Sequence, residues 1–265
     1  MNILSTNYIF LSLISALGLS ISSIFVKLGV RNKSPIAINI IRLYISSIFW
    51  VIVFFINKNF TEIFNLNFHQ ILILILSAFL GLVLSGTSKI GAIKYIGISK
   101  TVSIFYSYSF WVFLWSWLIL GRVISKNIIM GAVLILFSII LITQSTKQED
   151  TKKIKGILLA MFASFCEGSA MVATDWVSSQ ISSLTLAGTR VILGTSLINL
   201  VSFKYIKEIK KLTKKEFLFA SLVGLSGPVF AQYIAVVAIK LKGSQMIAPI
   251  FALTPLISSL LAIFF

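Results

Sequence analysis

KLGVRNKSPIAINIIR, residues 27–42, closes one long apolar run, turns through Arg31–Pro35 and opens another. DWVSSQISSLTLAGTR, residues 175–190, does the same, and Lys27, Ser34 and Arg42 fall on Asp175, Ser182 and Arg190 at a common offset of 148 positions. In each copy an ionisable residue stands late in one apolar run and an arginine a third of the way into the next. The first of these changes sign, lysine in one copy and aspartate in the other. Charges this deep in apolar sequence cost about 2.5–3.5 kcal/mol each on insertion scales, so they normally face a cavity or a partner.

Working outward, apolar runs of the length needed to cross a bilayer as helix recur along the whole chain. Of the 265 residues 58% are hydrophobic and 11% charged, and the mean hydropathy is +1.01, more apolar than a soluble domain of this length can cover. The runs are continuous rather than alternating, which predicts helices and not a barrel. Nine spans are expected: 8–30, 35–57, 70–93, 101–121, 127–143, 156–178, 184–203, 217–239 and 244–265. The charged connection 144–155 divides them into residues 1–146 and 154–265.

The halves match again at an offset of 146, where Gly81 falls on Gly227, AIKYIG (92–97) on AIKLKG (238–243) and Phe105 on Phe251. Five spans precede the boundary, an odd number, so the second half is expected to enter the membrane from the opposite side. Inverted repeats of this kind are a transporter signature. The fold class predicted is therefore an all-α membrane protein of inverted five-helix repeats. The second repeat stops at Phe265, the counterpart of Ile119, and a tenth helix of about 17–20 residues is expected beyond it. Glycines and a proline (Gly81, Gly86, Gly224, Gly227, Pro228) interrupt the third and eighth spans, where bending or close packing is expected.

Four stretches resemble the EamA-type branch of the drug/metabolite transporter superfamily. They are FVKLGV followed by SPIAINIIRLYISS, GAIKYIGISKTVSIFYSYSFW (91–111), LILGRVISKNIIMGAVLILFSIILI (118–142) and the second-half echo AIKLKGSQMIAPIFALTPLISSLLAIF. The resemblance implies ten helices in two inverted repeats, and movement of small metabolites by alternating access. Arg122 stands where the family usually has glutamate, and Ser183 where a proline is common. The resemblance also implies both termini in the cytoplasm. Charge counting points the other way. Of 23 Lys and Arg, 14 lie in the connections 31–34, 94–100, 144–155 and 204–216 and five on the opposite side, which by the positive-inside rule puts the N-terminus outside.

The candidate substrate-binding residues are Glu167, Asp175, Arg42, Arg190, Tyr108, Trp111 and Gln232. Glu167 lies halfway through its span, either as a cation, proton or amine contact on the path or as a structural hydrogen bond. Arg42 and Arg190 either contact an anionic group of the substrate or pair with the opposite repeat. Asp175 is expected to pair with Arg190 or Lys27. Lys27 and Lys89, near span ends, are expected to snorkel. Tyr108, Trp111 and Trp115 share one helix face, the first two deep enough to wall a cavity and Trp115 with Trp117 at a membrane edge. A single cysteine (Cys166) excludes an internal disulfide, and the lone His69 excludes a histidine-rich metal site.

No cofactor or metal is expected, and no nucleic acid, because 19 of the 23 Lys and Arg behind the net charge of +16 lie in short connections. No ATP-binding motif occurs. The leading reading is a multi-pass secondary transporter of the plasma or inner membrane, with the lipid bilayer and a small-molecule substrate (an amino acid or similar, for export) as partners and a homodimer compatible with it. A non-transporting scaffold or receptor, or a membrane-embedded enzyme, is the alternative.

Overall fold

The computed structural model describes residues 3–30, 33–58, 60–123, 130 and 151–261. All regular structure there is helical. Helices α1 (Ile3–Val30), α2 (Pro35–Asn57) and the short α3 (Phe60–Phe64) are followed by α4 (Phe68–Ser77), a π-helical segment Ala78–Ser85, α5 (Gly86–Phe105) and α6 (Tyr108–Leu118). After the boundary come α7 (Thr151–Ser178), α8 (Ser183–Ser202), the short α9 (Ile206–Ile209) and α10 (Lys214–Gly224). A second π segment, Leu225–Ala231, then leads to α11 (Gln232–Lys242), α12 (Ser244–Phe251) and α13 (Thr254–Leu261). The expected fifth span, 127–143, lies outside the described residues apart from Met130.

Six stretches among the described residues are long and apolar enough to cross a membrane, with Ser244–Ser258 as a shorter apolar helix. One of the six, Phe68–Leu118, has 51 residues; at a helical rise of 1.5 Å it would extend about 77 Å, against a hydrocarbon core of about 30 Å. It is broken at Gly97, whose φ of 78° only glycine adopts without strain. Gly243, 146 positions later, breaks the second half in the same way with φ 81°.

Other local features recur at the same separations. Ser34 and Ser182 are extended N-caps whose hydroxyls accept from Ala37 N and Thr185 N, each at 3.2 Å. Asn67 with Gln70 and Thr213 with Glu216 form capping boxes at the starts of α4 and α10. Both π segments fall where glycines interrupt the sequence. Lys94 Nζ donates to Lys33 O and Lys240 Nζ to Ile181 O, each at 2.9 Å.

The two short helices cross over between halves. Glu62 of α3 accepts from Ser182 N (2.7 Å), Ser182 Oγ (2.6 Å) and Thr185 Oγ1 (2.5 Å), so a first-half carboxylate seats the start of α8. Glu208 of α9 accepts from Ser34 N and seats the start of α2. A carboxylate at a helix N-terminus meets the positive end of the macrodipole. Burial raises the Glu62 pKa, but the hydrogen bonds from Ser182 and Thr185, helped by Lys240, outweigh it and leave the carboxyl below its ordinary value.

Between the long helices, small polar contacts run beside an apolar core that includes Ile38, Leu43, Phe54, Leu74 and Leu82. Ser15, Ser46, Ser77 and Ser109 hydroxyls donate to the backbone carbonyls of Ala231, Gly224, Ala170 and Ala248 at 2.8–3.0 Å. This is how helices associate where lipid removes the hydrophobic drive between them. Other large apolar side chains point away from the bundle; Phe10, Phe55, Ile56 and Leu200 are 65–74% exposed, as a lipid-facing surface requires.

Candidate functional site

Both π segments, α1, α2, α5, α7, α8 and α11 converge on one cavity. A π turn carries an extra residue per turn, which widens the helix and turns the next side chains to a new face. Along the first such segment and into α5, Gly81, Ser85, Gly86 and Lys89 all line the cavity. Its free space, about 80 Å³, has room for several waters, since one needs about 10–15 Å³ on the same measure.

The charges enter from separate helices. Glu167 comes from α7, and its Oε2 accepts from Ser85 Oγ at 2.8 Å. Arg190, from α8, is 5% exposed and donates from Nη1 to Gln232 Oε1 at 3.2 Å, while its Nε has no partner. Arg42, from α2, likewise has a buried Nε without a partner among the described residues. Lys89 holds its ammonium 4.4 Å from the Phe105 ring centroid and 5.5 Å from that of Tyr106, a cation–π arrangement. Among the described residues no ion pair within 4.0 Å involves any of these four groups.

Two glycines make room for the cations. A Cβ on Gly81 would stand 2.9 Å from Ala170 Cβ and 3.1 Å from Arg190 Nη2, and one on Gly86 would stand 2.9 Å from Arg42 Nη1. Neither position accepts a side chain without displacing an arginine or a helix. The interruptions visible in the sequence therefore serve both the π geometry and the site.

Of the residues singled out from sequence, Glu167, Arg42, Arg190, Tyr108 and Gln232 line the cavity. Asp175 and Trp111 do not. Asp175 lies two turns beyond Glu167 on α7 and is fully engaged elsewhere. Arg122 grips it with a two-pronged contact (Nη1–Oδ2 2.5 Å, Nη2–Oδ1 3.0 Å), and Ser244 donates to its Oδ2 from both N and Oγ at 2.7 Å. The expected pairs of Asp175 with Arg190 or Lys27 are not formed. Trp111 instead packs toward α7, against Gly168 and edge-on to Phe165 at 5.1 Å. Lys89 is a correction in the opposite sense. Expected to snorkel, it faces inward, because α5 continues past the apolar run and the helix does not break until Gly97. Lys27 is exposed.

Sequence reasoning also passed over Ser85 as a partner for Glu167. The available signal was spacing, since Gly81, Ser85 and Lys89 stand at four-residue intervals on one face. Chemically the arrangement can hold and orient a charged solute. Among the described residues no group of three or more His, Cys, Asp or Glu could ligate a metal. His69 lies edge-on to Trp176, with centroids 5.6 Å apart, and does not line the cavity.

A model of the EamA-like transporter family matches residues 6–144 and 154–265. Among curated proteins none matches the sequence. A solved crystal structure, described only as that of a protein, superposes with a TM-score of 0.74 at 12% identity, over 98% of this chain and 88% of that one, a likeness of fold alone.

Proposed function

The chain belongs to the EamA-like transporter family and is a multi-pass membrane transporter; on that premise we propose that it is a secondary transporter that carries a small metabolite through the cell membrane by alternating access. The substrate binds in the cavity between two inverted five-helix repeats, with nine spans in the residues present. The observation that carries this reading is the placement of three cations and one carboxylate around a cavity whose walls come from both halves. Such groups inside a membrane mark substrate pathways, and transporters built from repeats bind at the repeat interface.

The recurring contacts support the mechanical part. Glu208 with Ser34 joins the halves at one end, beside the Lys94–Lys33 contact within the first half. Glu62 with Ser182 is its counterpart at the other, beside the Lys240–Ile181 contact within the second. In the proposed cycle one set opens while the other stays closed, so the cavity faces one side of the membrane at a time. The π segments supply local flexure.

The test is solute exchange in proteoliposomes loaded with a metabolite extract. Time-dependent depletion of particular solutes is expected, abolished by Arg190→Ala in protein that remains folded. A folded protein that moves nothing, under any ion gradient, would favour the scaffold alternative.

A further inference from the structure

Resting on the transporter reading above, we infer that the cavity takes a compact organic dianion, a dicarboxylate or a phosphate monoester, rather than an amine or a neutral zwitterion. The argument is charge balance. Arg42, Lys89 and Arg190 bring three positive charges to the lining and Glu167 one negative charge, an excess of two.

Among the described residues no other carboxylate is free to neutralise that excess. The sequence has seven Asp and Glu. Glu62, Glu208 and Glu216 are committed to helix starts. Asp175 is held by Arg122 and Ser244. Glu149 and Asp150 belong to the hydrophilic connection TQSTKQEDTKKI, outside every apolar run. Two uncompensated charges between apolar helices are costly in a low dielectric. A dianion removes the whole excess, a monoanion half of it, and a zwitterion or amine none.

Donor geometry agrees. A guanidinium is a planar fork matched to carboxylate or phosphate oxygens. Among the described residues both arginines keep a buried Nε with no acceptor, and Arg190 has only the neutral oxygen of Gln232 as a hydrogen-bond partner. Lys89 has aromatic ring faces for neighbours. Glu167, tied to Ser85 on the same lining, sets the balance: it repels the anion at close range and keeps the site from holding it too tightly to release.

The test uses the full chain in nanodiscs, titrated calorimetrically with succinate, glycerol 3-phosphate, leucine and putrescine, alongside flux of each in proteoliposomes. Succinate or glycerol 3-phosphate is expected to bind, the stronger of the two naming the anion. Lys89→Gln is expected to weaken that binding about 30-fold or more, the loss for removing one member of a desolvated charge pair, with Lys89→Arg recovering most of it. Glu167→Gln is expected to tighten it about tenfold. A structural role for Glu167 would not give that sign. Leucine or putrescine bound and moved, with neither dianion bound, overturns the dianion assignment and leaves the transporter standing. A dianion bound but not moved keeps the assignment and overturns transport. No binding of either dianion, with unfolding traces unchanged by them, also overturns the assignment.

Discussion

Leu19 and Glu167 stand 148 positions apart, on α1 and α7, and both face the cavity; Lys89 and Ala235, 146 apart, do so from α5 and α11, as do Gly86 and Gln232. Between these differing pairs lie identical ones: Arg42 with Arg190, Gly81 with Gly227, Phe105 with Phe251. The halves thus bring corresponding backbone positions to the cavity with unlike side chains. Positions they share build the frame, and positions where they part company set the charge. Asp175 against Lys27 follows the same rule outside the cavity, since only the aspartate is locked, by Arg122 and Ser244.

The largest expected effect comes from erasing a frame position. Arg190→Ala and Arg42→Ala should each lower transport about 30-fold or more, on the 2–5 kcal/mol typical of a desolvated charge contact. Initial rates in proteoliposomes check this. A loss confined to one arginine would mean that the halves do not share the site. Next, Asp175→Asn should destabilise the fold by about 3 kcal/mol, the low end for breaking a buried pair because Arg122 is 31% exposed. Glu167→Gln should cost less, because Glu167 makes a single hydrogen bond, from Ser85, and no ion pair within 4.0 Å among the described residues. Denaturant unfolding followed by tryptophan fluorescence separates these two carboxylates of one helix.

Gly81→Ala should cost about 1–3 kcal/mol through overpacking against Ala170. The counterpart Gly227→Ala should cost less, because its new Cβ meets the Ser22 hydroxyl, which can rotate away. The smallest effects belong to the crossed caps. Ser34→Ala and Ser182→Ala should each cost about 1 kcal/mol. Because the Glu62 carboxyl titrates lower in the folded chain than its ordinary 4.5, its contribution is fully present above about that pH and is lost as the pH falls through the folded value. Glu62→Gln should remove that acid-side slope from the stability profile and leave the neutral range shifted by about 1–2 kcal/mol at most.

Much of the frame was legible in the sequence because polar residues are so rare in the apolar runs. Ser34 with Arg42 and Ser182 with Arg190 stood out, and their spacing placed two helix starts and two arginines correctly relative to each other. The site was legible where depth in the run decided it, as for Glu167. It failed where depth along the run differs from depth in the helix, as for Lys89, whose helix outlasts its apolar stretch. Trp111 failed for a packing reason. Its i, i+3 relation to Tyr108 is real, but Gly168 lets the α6 backbone and Trp111 Cβ come close to α7, and the indole packs edge-on to Phe165. The Arg122–Asp175 pair spans 53 positions, and the crossed glutamates join loops of opposite halves. Long-range pairings of that kind leave no local periodicity to read.

Everything turns on the halves lying upside down to one another. Asn65 and Lys211 are exposed, 146 positions apart, and sit beside the two crossing helices α3 and α9. Each replaced singly by cysteine in a Cys166→Ala background, they can be labelled with a membrane-impermeant maleimide in sealed vesicles of known orientation. The account predicts that one labels only from outside and the other only from inside. Labelling of both from the same side would contradict it.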